Sequence, residues 1–222
     1  MFNLSDTWGY QDPPAKVGVL AVKNAPNCEE SPALSSAREE LEGELRDRFG
    51  HLDRNGIRAL PVFAAYESHY KRFKKTYHVQ LQLESVVLKG KPIFSPSALV
   101  GAMFMAELKT GLLTAAHDLK SLEVPLSADI ARGEESYLRL DGTHQLLKAG
   151  DLYIRDQAGV LSSVIYGPDF RTRIQKSTDQ AVYTTYALGG ISPEQVLEEL
   201  EILEGYIRLF APNLKREVLA VY

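Results

Sequence analysis

Few side chains in this sequence are equipped for chemistry by type and spacing. The five histidines are His51, His69, His78, His117 and His144. No two stand four residues apart and no His-Glu-x-x-His occurs, so no helical zinc site is written locally. His117 and Asp118 follow the apolar run "GLLTAA". An imidazole beside a carboxylate is the arrangement of a general base, and equally that of a hydrogen-bonded core histidine. The same pair offers two metal ligands with no third nearby, and no metal is expected. Cys28 lies beside Glu29 and Glu30, whose charge disfavours the thiolate, so it reads as a bystander. Ser162 and Ser163 stand inside an apolar run without the Gly-x-Ser-x-Gly elbow. Neither Gly-x-Gly-x-x-Gly nor a Walker sequence is present. No cofactor is expected.

Two clusters suit anionic ligands. Tyr70, Phe73 and Tyr77 interleave with Lys71, Arg72, Lys74 and Lys75, and Lys89 follows. Aromatic rings stack on bases while Lys and Arg neutralise phosphates. An ordinary helix end with solvated lysines and inward rings has the same pattern. In "YGPDFRTRIQKST" (166–178), Arg171 and Arg173 alternate. In an extended strand they share one face, which fits a carboxylate or phosphate; a surface salt-bridge site fits as well.

These residues need elements to hold them. Residues 1–14 read as an irregular arm, with Pro13 and Pro14 biasing it to extended backbone. "KVGVLAV" (16–22) reads as a buried strand. A helix is predicted over 32–49, with Ser31 as cap, Pro32 in its first turn and Leu34, Ala37, Leu41, Leu45 and Phe49 as its apolar stripe. Residues 57–66 read as a strand leading into a helix. The basic stretch 67–92 carries a local excess of four positive charges. "SALVGAMFMAELKTGLL" (97–113) is apolar except for Glu107 and Lys109 and reads as a buried helix. From 124 to 188, short apolar runs separated by turn pairs suggest an antiparallel meander or small barrel. The last helix is predicted over 193–210, opened by a capping box of Ser192 and Gln195. The fold class is therefore α+β. The domain reading is an N-terminal arm over 1–15 and a single domain over 16–222.

The chain has 222 residues, 45% hydrophobic and 24% charged, with a formal net charge of -4. These are the proportions of a globular protein with a full core. No apolar run reaches membrane-span length, and the opening residues lack a basic-then-apolar leader pattern. A single cysteine excludes an internal disulfide. A cytoplasmic location is expected, and no membrane partner. Mild acidity excludes a generally basic nucleic-acid binder but leaves room for a local basic patch.

The order of three segments carries a resemblance. They are "SPSALVGAMFMAELKTGLLTAAHDLKSL", "ARGEESYLRLDGTHQLLKAGDLYIRDQAGVLSSVIYGPD" and "STDQAVYTTYAL". Together they resemble the tRNA-editing B3/B4 domain of the phenylalanyl-tRNA synthetase beta subunit, and the free-standing proteins built on that domain. The likeness runs from about residue 16 to residue 210. It implies a central β layer flanked by helices, with a cleft. It also implies hydrolysis of the ester of a mischarged tRNA, by positioning a water and stabilising the oxyanion.

The family's polar residues are not all kept. Its buried helix carries Asn-x-x-Val-Asp-x-x-Asn where this chain has Ser97, Gly101 and Phe104. Its editing His aligns with Ala115 and its late-strand Glu with Thr184, while Asp118 is retained. The remaining polar groups define a candidate cleft. His117 and Thr184 are its candidate catalytic residues. His78, Glu107, Asp118, Tyr186, Arg171 and Arg173 are candidates for substrate binding. Lys71, Arg72, Lys74, Lys75 and Lys89 are candidates for binding RNA. Three functions follow. The first is a stand-alone hydrolase for mischarged aminoacyl-tRNA. The second is a non-catalytic module for tRNA, another RNA or an amino acid. The third is an interaction protein that self-associates through the apolar tail "VLAVY" (218–222). A complete synthetase is not expected, since no ATP-binding motif is visible.

Overall fold

A computed structural model describes residues 2–10 and 14–222. In chain order the elements are β1 (Phe2–Leu4), β2 (Lys16–Lys23), α1 (Pro32–Phe49), α2 (Arg54–Arg58), α3 (Pro61–Arg72), α4 (His78–Lys89) and α5 (Ala98–Thr110). Then follow β3 (Leu113–Asp118), β4 (Leu126–Ile130), β5 (Ser136–Leu138), β6 (His144–Leu146), β7 (Leu152–Arg155), β8 (Val160–Ser163) and β9 (Gly167–Pro168). β10 (Ala181–Ala187), α6 (Pro193–Arg208) and β11 (Lys215–Val221) close the chain. The fold is α+β.

Two sheets make its framework. An antiparallel sheet has the order β11-β2-β10-β3, and a second has the order β1-β4-β7-β8-β9 with β1 parallel to β4. β5 and β6 form a separate hairpin. Gly18, Thr185 and Thr114 share one face of the first sheet, and α6 lies on it. The approach is close: a Cβ on Gly18 would stand 2.4 Å from Val196 Cγ1. On the opposite face Tyr186 reaches the second sheet, its hydroxyl 2.8 Å from Ser162 Oγ. The first sheet is thus packed between helices and the second sheet, which is why every residue of β3 and β10 is buried.

α1, α5 and α6 form close to where helical periodicity places them. Ser31 accepts from Leu34 N–H at the start of α1, and the capping box of Ser192 and Gln195 opens α6. Other expectations are corrected. Residues 57–66 contain no strand: Asp53 caps α2, Pro61 opens α3, and Phe63, Tyr66 and Tyr70 face inward at helical spacing. α5 stops at Thr110, where Gly111 takes φ +82°, and "LTAAHD" becomes β3. The 1–14 segment is no irregular arm in its described part. β1 pairs with β4, and Trp8 is buried with Nε1–H donating to Ala15 O at 2.9 Å. Pro13 lies outside the described residues. The β-rich stretch 124–188 is not one meander, because β10 leaves it for the centre of the first sheet. The tail "VLAVY" is built into the first sheet as its outer strand: β11 pairs with β2, and Tyr222 stacks on Phe2 with ring centroids 5.0 Å apart. Among the described residues no helix is long and apolar enough to cross a membrane.

Candidate functional site

β3 is one of the two edge strands of the first sheet, and a cavity of about 580 Å³ opens along that edge. Small-molecule sites span roughly 300–1,000 Å³. α5 forms one wall with Val100, Met103, Phe104 and Glu107. β3 supplies Leu113 to Ala116, and behind it stand Tyr186 of β10 and Ser163 of β8. His78 and Gln82 of α4 and the largely exposed Phe94 complete that side. The mouth is bordered by Arg173, Lys176, Glu29 and Leu140. Most of the lining is apolar, because α5 carries apolar residues on nearly every face.

The deepest polar group is Glu107, 1% exposed. Its Oε1 accepts the Thr114 N–H at 2.8 Å and its Oε2 has no partner. Behind it the Thr114 hydroxyl donates to Glu199 Oε1 at 2.8 Å and lies 2.9 Å from Thr185 Oγ1. Glu199 Oε2 is also unpartnered. Burial, reinforced by the neighbouring Glu199, raises the Glu107 pKa well above the usual carboxylate range, and burial pushes Glu199 up to about 7. Burial thus favours the protonated form of Glu107.

His78 is held in a defined tautomer. The single Tyr70 hydroxyl proton goes to Val164 O at 2.6 Å, so the 3.2 Å contact with His78 Nδ1 requires a proton on Nδ1. Nε2 is then the acceptor nitrogen. Burial lowers the His78 pKa to about 4, which keeps the ring neutral. Tyr186 is fixed by Ser162 Oγ at 2.8 Å and Ser162 O at 2.9 Å. Arg173 stacks 3.6 Å over the Phe170 ring and donates to Phe170 O. Lys176 pairs with Glu29 at 2.8 Å in the open. Cys28 also lines the cavity, and burial raises its thiol pKa.

The cavity thus gathers four of the residues singled out in the sequence: His78, Glu107, Tyr186 and Arg173. The others lie elsewhere. His117 is fully buried, with Nδ1 2.8 Å from Thr172 Oγ1, and burial lowers its pKa to about 3. Thr184 is fully buried and its hydroxyl has no partner. Neither belongs to the cavity wall. Asp118 accepts from Lys120 N–H and the Thr178 hydroxyl, tying two loops together. Arg171 and Arg173 do not share a strand face: the chain turns at 171–172, and Arg171 binds Asp156 at 2.8 Å and Ser121 O at 2.8 Å. Lys71, Arg72, Lys74 and Lys75 are exposed around the α3–α4 turn, and Lys89 is exposed in the last turn of α4. Lys75 Nζ lies 4.9 Å from the centre of the Tyr166 ring, beside the cavity-lining Gly167. Among the described residues no group of three or more His, Cys, Asp or Glu side chains is placed to hold a metal.

Sequence reasoning weighed Ser163 only as a nucleophile, and passed over Phe94 and the β3 edge. Phe94 had a signal, an aromatic in the proline-bounded "PIFSP" with no apolar period around it. The β3 edge had none, since edge position depends on strand order.

Fold and site define an α+β protein with a mostly apolar cavity whose lining includes Arg173 and Lys176. No protein-family model matches the chain, and no curated protein matches its sequence. Among solved structures it is similar in outline to an N-terminal fragment of the phenylalanyl-tRNA synthetase beta subunit from Pyrococcus horikoshii, with a TM-score of 0.46 and 10% identity. The match covers 94% of this chain and 48% of that one, so the chain spans about half the length of that structure.

Proposed function

We propose that this chain binds the aminoacylated 3′ end of a tRNA, with the aminoacyl group in the β3-edge cavity. The carrying observation is an apolar cavity of about 580 Å³ whose lining includes the cations Arg173 and Lys176. Lys75 and its neighbours approach through Tyr166, while Arg173 and Lys176 border the mouth. An apolar group carried on a phosphate-bearing chain has that charge distribution. The motif order in the sequence supplies tRNA as the chain.

The test is tRNA affinity between 50 and 200 mM salt, for the native protein and for a variant with Lys71, Arg72, Lys74 and Lys75 replaced by Ala. The native protein is expected to lose affinity steeply with salt. The variant is expected to bind at least tenfold more weakly, with a shallower slope. Salt-insensitive binding, or equal affinity of the two proteins, refutes the reading.

Trans-editing is the second reading, and one observation favours it. His78 places a neutral imidazole in the cavity wall with Nδ1 protonated and Nε2 free to accept. In this version His78, rather than His117 or Thr184, takes the proton of the attacking water. Release of amino acid from a panel of mischarged tRNAs, abolished in His78→Ala and retained in His117→Ala, is the expected result. No release from any member leaves a binding module.

A further inference from the structure

We propose that the cavity selects a free α-amino group, with the Glu107 carboxylate binding the ligand's ammonium and the main-chain N–H of Ala116 binding its carbonyl oxygen. The inference rests on reading the cavity as the aminoacyl site and narrows what that site accepts.

Glu107 has a buried oxygen, Oε2, that no described protein group satisfies. Such an orphan costs about 1–3 kcal/mol, and a ligand that satisfies it recovers the loss. Glu199, one Thr114 side chain away, carries a second unsatisfied oxygen. The titratable groups that bear on the pair are the phenols of Tyr66, Tyr70 and Tyr77, and His78 lines the same cavity as a neutral ring. No cation contributes to the electrostatics of either carboxyl. A free amine takes up the proton that burial keeps on Glu107, and the resulting ammonium, with three protons to give, pairs with the carboxylate it leaves. A carbonyl or ether oxygen offers Glu107 one hydrogen bond and leaves the electrostatics unanswered.

The strand edge supplies the partner group. Thr114 N–H points away from β10, to Glu107, and Asp118 N–H also points away, to Thr172 O at 2.7 Å. The two-residue repeat of a strand therefore turns Ala116 N–H the same way. Ala116 lines the cavity, is 7% exposed, and its N–H finds no partner among the described residues. Its nitrogen lies about 6.6 Å along β3 from that of Thr114. The ammonium nitrogen and carbonyl oxygen of an α-aminoacyl group are about 3 Å apart, and with two hydrogen bonds of about 2.9 Å the group reaches partners up to about 9 Å apart, the scale of this stretch of β3. A blocked amine fails here. N-acylation removes the charge, leaves one proton and adds bulk where Leu113 and Thr114 close the cavity.

The experiment compares three tRNAs with the full chain: amide-linked phenylalanyl-tRNA, its N-acetyl form and the uncharged tRNA. The amide link prevents hydrolysis during the measurement. The native protein is expected to bind the free-amine form at least tenfold more tightly than the N-acetyl form. In Glu107→Gln that ratio is expected to fall to within twofold, with the Thr114 N–H still satisfied by the amide oxygen. Equal binding of the free and blocked forms, both tighter than uncharged tRNA, overturns the amine selection and leaves the aminoacyl site standing. Equal binding of all three overturns both. Because the first comparison uses the native protein, a variant that fails to fold does not remove the test.

Discussion

Replacing Glu199 with glutamine should make the protein more stable, by a margin that opens above about pH 4.5 and is full above about pH 7. Glu199 is fully buried, accepts from the Thr114 hydroxyl at 2.8 Å, and leaves Oε2 without a partner. Burial moves its pKa from 4.5 to about 7 on folding. Between those values the folded chain holds a proton that the unfolded chain has lost. The stability linked to this proton is fully present below pH 4.5 and falls as pH rises towards 7. The loss is on the order of 3 kcal/mol. An amide of the same shape keeps the acceptor for Thr114 and has no proton to lose. The native protein and Glu199→Gln should therefore be nearly equal at pH 4.5. At pH 8 the variant should be ahead by about 3 kcal/mol, with a Tm higher by roughly 6–12 °C. Glu107 adds its own falling slope to both proteins, so most of it cancels in the comparison. Urea and thermal melts of both proteins at the two pH values decide the matter. An advantage equal at both pH values, or a variant less stable at pH 8, refutes the claim that the fold holds this carboxyl protonated.

Gly18→Ala places a methyl 2.4 Å from Val196 Cγ1 and 3.1 Å from Leu200 Cδ1, so α6 must lift from β2; chemical denaturation should show a loss of about 1–3 kcal/mol. His117→Ala empties a fully buried position and removes one of the two partners of Thr172 Oγ1, leaving Asp169. It should cost on the order of 2 kcal/mol while leaving tRNA affinity within twofold, because His117 does not line the cavity. Val100→Trp fills part of the cavity from α5; it should abolish discrimination between charged and uncharged tRNA while the salt-dependent affinity for uncharged tRNA persists.

What the sequence conveyed depended on how local the determinant was. α1 and α6 were legible because a cap and an apolar stripe lie within a single element. The burial of α5 was legible because an almost uninterrupted apolar run has no solvent face to offer. The helices over 54–72 were misread because "IRALPVFAAY" is dense in apolar residues. The deciding features, the Asp53 cap and Pro61 at a helix start, are single residues. The strand pairing of the tail was illegible for a different reason. An apolar segment looks the same whether it meets another molecule or strand β2 of its own chain. At the site, Glu107 stood out as a lone acid in an apolar helix. His117 drew equal attention for an equally local reason, yet burial kept it from the cavity. Only the order of strands shows that β3, not β10, presents an edge.

That edge also limits what the cavity can hold. An exposed strand edge invites another strand, and proteins cover their edges to prevent it. Here the cover is interrupted. The Glu107 carboxyl closes the edge at Thr114, and Thr172 O closes it at Asp118. Only the outward groups between these two closures remain open, centred on Ala116. A peptide adding as a strand needs a run of alternating backbone pairs, and this gap is too short for one. A single carbonyl fits it. The apolar walls beside the gap and the cations at the mouth then call for one acyl group on a charged carrier rather than an extended polypeptide. A peptide that competed with charged tRNA for this cavity would mean that one of the two closures opens in solution. Hydrogen exchange at Asp118 N–H, which the bond to Thr172 O should protect, would show it.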